Sequence, residues 1–429
     1  MLDAILAQSR NTSLIMGLVA LIGLLLQKKS ATDVISGTVK TVIGFMVFNI
    51  GSNAMSSVVG VFTTLFNTAF GIQGVTTQVE LATALALDTY GTEVALVFVI
   101  GFVMNLVFAK FTPFKAIFLT GQHFLYFACV IALIFIANGM PLVLTVVLGG
   151  IILGICGAAL PTLCQRFMNE LTGADNLSMG HFNCLGYAFS GYVGLLFEKA
   201  GGGKKESSDS SNVNMPKFFE LFRDFVFSVA LFMVVLFYIA VFACVANGHL
   251  DVVLENSGND IWFIYPFLQG LQFAAGMSVL IYGVRQFIAE ITAAFVAISE
   301  KYIPNSKPAV DCPAIFPFAP TAVLIGFVGS FVGGLAAMAL MVAFHSSTIM
   351  IPAAGICFFS GGTCGVFGNV HGGWKGALVG SFIVGMALTG LPLILYPAFA
   401  ALGIAEASFP NVDYNIIGAV MNAILGIFH

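Results

Sequence analysis

The chain has 429 residues, of which 59% are hydrophobic and only 8% are charged, and its mean hydropathy is +1.00. Water cannot be the solvent for most of such a surface, so these values exclude an ordinary soluble protein. The apolar runs are continuous and lack the alternation of barrel strands, which leaves an all-α polytopic membrane protein.

Runs of about 20 apolar residues, the length that crosses a bilayer core, predict about eleven membrane-spanning helices. They lie near residues 12–27, 41–62, 94–109, 116–137, 141–163, 225–247, 262–284, 317–344, 348–367, 376–401 and 414–428. With the N-terminus outside, every Lys and Arg except Arg10 faces the cytoplasm, and the acidic outer loops include Glu80. This positive-inside pattern predicts a cytoplasmic C-terminus.

The longest polar stretch, rich in Gly and Ser, divides the chain and predicts a flexible cytoplasmic linker. We expect a first repeat over residues 1–198, the linker over 199–224, a second repeat over 225–402 and a final helix over 403–429. Two halves of five spans would lie in opposite orientations, as in transporters with inverted repeats. The five residues from Val99 resemble the five from Leu324, which supports this division.

Several apolar segments are interrupted in ways that a plain spanning helix does not tolerate. Residues 171–197 and 358–374 combine many glycines with Asn and His, residues 311–320 contain three prolines, and residues 119–126 place Gln and His at the start of a span. Freed backbone groups must be buried in protein or line a wet cavity, so re-entrant hairpins around a polar site are expected. The alternative is that the glycines serve helix packing.

The eight cysteines occur singly, mostly in apolar segments, and are interpreted as small buried hydrophobic residues. Neither a metal site, a redox site nor a cofactor is predicted. The phosphate-binding, zinc-protease and dinucleotide-binding motifs are absent from the sequence, and no covalent catalytic residue is identified.

Four stretches resemble one family over nearly the whole chain and in the same order. They are Lys40–Met46 with Gly51-Ser52, Leu119–Gly121, Gly283–Glu290, and Ile303–Pro320 followed by Gly365–Phe367 and Gly372–Trp374. Together they resemble the membrane component, enzyme IIC, of the L-ascorbate-type phosphoenolpyruvate:sugar phosphotransferase system of bacteria.

The resemblance implies a homodimeric permease in the bacterial inner membrane, with eleven helices per subunit and separate scaffold and core domains. Its core would move in an elevator mechanism and bring a sugar or sugar acid to the cytoplasmic side. There a phosphocysteine on a separate enzyme IIB, itself supplied by enzyme IIA, would phosphorylate the solute. No nucleic-acid partner is expected.

The resemblance also implies which residues bind the solute. Ser52, His181 and Asp311 match the family's pattern. The chain departs from members known for ascorbate at Gln122 and Tyr126, at Phe182 and Asn183, and at Glu80, where those members have other polar or aromatic groups. The expected substrate-binding residues are therefore Ser52, Glu80, Gln122, His123, Tyr126, His181, Phe182, Asn183, Asp311 and Phe367. The departures leave ascorbate, another sugar acid or a polyol as the solute.

Two other functions remain open from the sequence, and a third is disfavoured. A proton- or sodium-coupled secondary transporter would use Asp311 or His181 for the coupling ion. A channel would use a Gly-rich segment as its filter. An intramembrane hydrolase would need a nucleophile beside a positioned base, and the sequence offers none.

Overall fold

A computed structural model of the chain describes residues 12–202, 209–213, 221–222 and 224–427. Arg10 and most of the predicted linker, including Lys204 and Lys205, lie outside the described residues. Within the described residues, seven helices are long and apolar enough to span a membrane. The predicted all-α polytopic class is confirmed at that level, while the count of eleven spans stays a prediction.

The fourteen α-helices of the described residues follow the apolar runs. They are α1 Thr12–Leu26, α2 Ala31–Phe70, α3 Val79–Phe111, α4 Gly121–Ala137, α5 Leu142–Thr172, α6 Cys184–Phe197, α7 Phe225–Ala246, α8 Leu250–Ser257, α9 Tyr265–Tyr302, α10 Pro320–Ala343, α11 Ala354–Ile356, α12 Gly362–Gly390, α13 Tyr396–Ala401 and α14 Val412–Gly426. A π-helical turn, Cys357–Gly361, joins α11 to α12.

Five short strands lie in the connections between helices. They are β1 Gln73–Thr76, β2 Ala116–Phe118, β3 Ser178–Met179, β4 Lys307–Val310 and β5 Thr348–Ile351. β1 pairs in parallel with β5, and β4 lies between β2 and β3 and is parallel to both. Because each strand begins or ends beside an interrupted helix, these sheets satisfy backbone groups that lipid could not.

The helices form two groups. In the first group α2 packs along α9, with α1 and α7 beside them. In the second group α10 packs along α12, α12 along α6, and α3 along α5, with α4 and α14 between them. Glycines permit the closest approach in the first group, where a methyl group at Gly51 would lie 2.3 Å from the backbone nitrogen of Leu280.

Several helices are longer than predicted, including α2 (predicted over residues 41–62), α5 (141–163) and α9 (262–284), and two others differ in their course. α3 begins at Val79 and not near residue 94, because the acidic stretch expected as an outer loop is helical up to a kink at Tyr90. α12 begins near the end of the predicted ninth span, reaches residue 390 of the predicted tenth, and turns back at Gly373, whose φ of 57° favours glycine. A methyl group at Gly368 would lie 2.5 Å from the carbonyl oxygen of Gly376, so the two arms of α12 contact each other.

Candidate solute-binding site

The site begins where β2 leads into α4. Asn105 on α3 fixes β2, since its Oδ1 accepts from the N–H of Phe118 at 3.1 Å and its Nδ2 donates to the carbonyl of Ala116 at 3.2 Å. α4 starts three residues later, at Gly121, and its first turns present Gln122, His123 and Tyr126. With 17 residues α4 is about 25 Å long, which is shorter than a bilayer core. Its polar first turn therefore begins inside the protein.

β4 brings Asp311 to the start of α4. The N–H of Leu119 donates to the carbonyl of Ala309 at 3.1 Å, which extends the pairing of β2 with β4 by one residue. Asp311 follows two residues after Ala309. Asp311 Oδ1 accepts from the N–H of Cys312 at 2.8 Å, and its Oδ2 accepts from Gln122 Nε2 at 3.2 Å. The carboxylate is therefore held in place by the residue after it and by α4.

β3 brings His181 to the same place from the other side of β4. The N–H of Gly180 donates to the carbonyl of Val310 at 2.7 Å, and a methyl group at Gly180 would lie 2.2 Å from the carbonyl oxygen of Ala309. This close approach requires glycine before His181. Outside the site, Lys307 at the start of β4 donates to Asp175, and this hydrogen bond lowers the pKa of the Asp175 carboxyl.

The two imidazoles and the carboxylate form one cluster. The rings of His123 and His181 have centroids 3.7 Å apart, and His123 Nε2 lies 3.6 Å from Asp311 Oδ1. One ligand atom from each of the three residues lies within 4.8 Å of the others. This spacing would suit a divalent ion as well as the hydroxyl and carbonyl groups of a small solute.

A cavity of about 30 Å³ adjoins this cluster. It is lined by residues from both helix groups: Glu80, Gln122, His123, Tyr126, Ile281, Val284, Arg285, Asp311 and Phe359. Ile281, Val284 and Arg285 belong to α9 in the first group, while the others belong to or adjoin the second group. The cavity thus lies at the contact between the groups, and its volume is enough for only a few water molecules.

Five of the ten expected residues line this cavity: Glu80, Gln122, His123, Tyr126 and Asp311. Glu80 reaches it from the first turn of α3, where its Oε2 accepts from Gln78 Nε2 at 3.0 Å. His181 lies directly behind His123 and is fully buried. These six residues lie together in the structure, and their role in solute binding stays a prediction.

The other four expected residues lie outside the cavity lining. Ser52 is buried in α2, and Phe182 stacks on Phe118 with ring centroids 4.2 Å apart. Asn183 Oδ1 accepts from the N–H of Val412 at 3.0 Å. Phe367 stacks on Tyr187, which in turn contacts His181. A role in solute binding stays a prediction for each of them.

Sequence reasoning missed Arg285, Phe359 and the two apolar residues of α9 as lining residues. Arg285 belongs to a stretch already noted for its family resemblance, but a lone arginine near the end of a span is usually a solvated charge. A signal was available, because Arg285 stands within the apolar part of α9 and not beyond its end. Arg285 lines the cavity from α9 and is otherwise exposed.

A larger pocket, of about 510 Å³, lies elsewhere in the second helix group. It is lined by residues of α5, α12, the start of α10 and the turn at Ser210, and none of the expected site residues is among them. Beside it His371 contacts Glu170 at 2.7 Å and Glu198 at 2.9 Å. Because this pocket lies within one group, it does not offer a site at the contact between the two.

Comparison with known proteins decides the family. A family described as the sugar-specific permease component of the phosphotransferase system (EIIC-GAT) matches residues 6–413. The chain belongs to this family of permease components. The family that the sequence resemblance predicts is thereby confirmed.

A curated member of similar sequence is the ascorbate-specific enzyme IIC component of the phosphotransferase system of Mycoplasma pneumoniae. It is 28% identical to this permease component over 427 aligned positions, which cover 88% of the chain and 63% of the relative. The chain thus spans somewhat less than two thirds of the length of that relative. The match to the family covers every described residue of the cavity lining, from Glu80 to Phe359.

Proposed function

We propose that this protein translocates L-ascorbate or a related sugar acid or polyol across the bacterial inner membrane, as the enzyme IIC component of a phosphotransferase system. One observation carries the proposal: the cavity at the contact between the helix groups combines His123, Asp311 and Gln122 from one group with Arg285 from the other. Polar groups at this depth are costly and are retained for a solute or an ion. The name of the Mycoplasma relative supports ascorbate among the candidate solutes.

The proposed movement is an elevator-like displacement of the second helix group along the first. A cavity of about 30 Å³ is too small for a sugar, so α9 and α4 must separate when a solute binds. The α2–α9 pair is suited to a fixed scaffold because its backbones are in close contact. The second group holds the cluster of His123, His181 and Asp311 as one unit and is suited to be the moving core.

An inverted repeat is supported by the pairing of the strands. The proposed repeats run over Ala31–Phe197 and Tyr265–Gly426, so that β1 corresponds to β4 and β5 to β2. β1 pairs with β5 and bridges to Ala407, while β4 pairs with β2 and β3. If the two repeats are exchanged, the pairing of β1 with β5 becomes the pairing of β4 with β2. The bridge from β1 to Ala407 then becomes the pairing of β4 with β3. This division places α14 in the second repeat, whereas the sequence assigns residues 403–429 to a separate final helix.

The proposed orientation places the N-terminus outside and the C-terminus in the cytoplasm, because this arrangement puts nearly all basic residues inside. The core would deliver the solute to enzyme IIB, whose phosphocysteine transfers a phosphoryl group supplied through enzyme IIA. Phosphorylation adds charge and removes the product from the transport equilibrium. A homodimer with its contact on the first helix group completes the proposal.

The test is uptake of labelled solute into proteoliposomes, with and without phosphoenolpyruvate and the cytosolic phosphotransfer proteins. We expect phosphorylated product only when the complete system is present. Accumulation of unmodified solute driven by a proton or sodium gradient would contradict the proposal and support a secondary transporter.

The residue test uses Asp311→Asn and His181→Ala. We expect each variant to lose solute binding in a thermal-shift assay while the oligomeric state in detergent is unchanged, because both residues belong to the cluster of His123, His181 and Asp311. Lys110→Gln, at the exposed end of α3, is the control and should bind normally. Unchanged affinity in both cluster variants would contradict the assigned site.

A further inference from the structure

Tyr187 contacts His181 from behind the proposed solute site. Its hydroxyl lies 2.7 Å from His181 Nδ1 and 3.3 Å from the Sγ of Cys312. We propose that Tyr187 is a positioning residue that holds His181 as the tautomer with its proton on Nε2, so that His181 donates a hydrogen bond to an acceptor oxygen of the solute. This inference rests on the proposed function, because it assumes that the cluster of His123, His181 and Asp311 receives the solute.

The direction of the hydrogen bond follows from the chemistry of the two partners. A phenol is a good donor and a poor acceptor, whereas the unprotonated nitrogen of an imidazole is a good acceptor. The reverse arrangement would make the Tyr187 oxygen accept from Nδ1 and leave its proton for the sulfur of Cys312, which is a weak acceptor, or for the hydroxyl of Ser360, which itself donates to Asn411 Oδ1. The stronger arrangement therefore places the Tyr187 proton on the bond to Nδ1. A neutral imidazole then has its own proton on Nε2.

His181 Nε2 is the atom that this arrangement leaves for the solute. It is buried and has no hydrogen-bond partner among the described residues. A buried N–H without an acceptor is costly, so the site is incomplete without an oxygen at this position. The neighbouring His123 ring lines the cavity and lies against His181, so the cavity must extend to both rings when it enlarges for a solute.

His123 offers the complementary group. Its Nε2 faces Asp311 Oδ1, which places the proton of a neutral imidazole on that nitrogen, and its buried Nδ1 has no partner within the described part of the chain. Nδ1 is thus an acceptor and His181 Nε2 a donor, on two rings whose centroids lie 3.7 Å apart. This pair matches a carbonyl or deprotonated oxygen next to a hydroxyl group, as in hydroxy acids, their lactones and enediols. A compound with no such acceptor oxygen would bind more weakly.

Phe367 explains how Tyr187 keeps its position. The two rings are stacked with an interplanar angle of 3° and centroids 5.7 Å apart. Tyr187→Phe keeps this stacking and removes only the hydroxyl, so it separates positioning of His181 from packing. Tyr192→Phe is the matched control, because Tyr192 lies on the same helix, α6, and its side chain is exposed on the outer surface.

The first measurement is the protonation of the His181 ring in protein labelled with ¹⁵N-histidine, in lipid and without solute. The chain has six histidines, so the His181 signals can be assigned from a His181→Gln variant. We expect a proton on Nε2 in the wild type and in Tyr192→Phe, and a mixture of tautomers in Tyr187→Phe. A proton on Nδ1 in the wild type would overturn the inference.

The second measurement is solute affinity by calorimetry. We expect Tyr187→Phe to weaken binding of a sugar acid about tenfold, as the loss of one well-placed hydrogen bond predicts. In a His181→Gln variant the Gln side chain offers a donor near the position of Nε2 and does not depend on Tyr187. Adding Tyr187→Phe to this variant should therefore not lower the solute affinity further. Wild-type affinity in Tyr187→Phe would overturn this inference and leave the proposed function standing. A wild-type protein that binds no sugar acid or polyol would instead contradict the proposed function.

Discussion

The carboxylate of Asp413 accepts a hydrogen bond from the backbone N–H of Cys184 at 2.8 Å, and its second oxygen accepts from the next N–H, that of Leu185, at 2.9 Å. An acidic residue in the first turn of α14 therefore caps the first turn of α6. In return, Asn183 Oδ1 accepts from the N–H of Val412 and caps α14. Both N-termini lie inside the protein, and a negative charge stabilises this end of a helix.

Removing the Asp413 carboxylate should destabilise the protein. Asp413→Ala leaves two buried N–H groups of α6 without acceptors, and we expect a loss of about 3 kcal/mol in the free energy of unfolding. Asp413→Asn keeps one acceptor and should lose less. Thermal unfolding in detergent measures both, with Asp251→Ala in the exposed part of α8 as the control. Equal stability of Asp413→Ala and the control would show that the caps contribute nothing.

The glycines of α2 predict a second difference in stability. Gly51→Ala places a methyl group 2.3 Å from the backbone of α9, so the two helices must move apart, and we expect a loss of about 2 kcal/mol or more. Gly60→Ala on the same helix meets no atom within 4 Å and should be neutral or stabilising by up to about 1 kcal/mol. Thermal unfolding of both variants is the measurement. A Gly51→Ala protein as stable as Gly60→Ala would contradict the close packing of α2 on α9.

The spanning helices could be predicted where hydropathy changes sharply. α7 is predicted over residues 225–247 and observed over Phe225–Ala246, because Asp224 caps its first turn and Asn247-Gly248 ends the apolar run. The start of α3 is harder to predict, because three acidic residues before residue 94 are typical of a solvated loop. Glu80 lies in the first turn of α3, where a negative charge is favourable, and its side chain lines the cavity. A polar residue in a buried environment and one in water look the same in a single sequence.

The polar residues of the site could be predicted from the sequence, but their arrangement in space could not. His123, His181 and Asp311 stand out against apolar neighbours. What brings them together is the sheet of β2, β4 and β3, whose strands have two to four residues and pair across more than a hundred positions of the chain. Such strands are too short to show a hydrophobic pattern. Residues 171–197 are expected to surround a polar site, yet two of their N–H groups, those of Cys184 and Leu185, donate to Asp413.

The sheet makes a prediction about the residue before His181. Gly180→Ala would place a methyl group 2.2 Å from the carbonyl oxygen of Ala309, so β3 must shift away from β4 and carry His181 away from Asp311. We expect solute affinity to fall by at least about tenfold. Gly390→Ala, which meets no atom within 4 Å, is the control and should bind normally in the same calorimetric titration. Wild-type affinity in Gly180→Ala would show that the β3–β4 contact does not set the position of His181.

Arg285 should decide between charged and neutral solutes. It supplies the positive charge of the cavity lining, from the helix group opposite His123 and Asp311. Arg285→Gln removes that charge and should weaken binding of a sugar acid by about tenfold or more, while a neutral polyol of the same carbon number is affected less than about threefold. Arg285→Lys keeps the charge but loses the planar pair of donors, so we expect an intermediate affinity for the acid. Competition against a labelled solute in proteoliposomes gives the affinity of each variant for the acid and for the polyol. Lys110→Gln is the control for the loss of a positive charge outside the cavity. Equal losses for the acid and the polyol would mean that Arg285 shapes the cavity without recognising the charge of the solute.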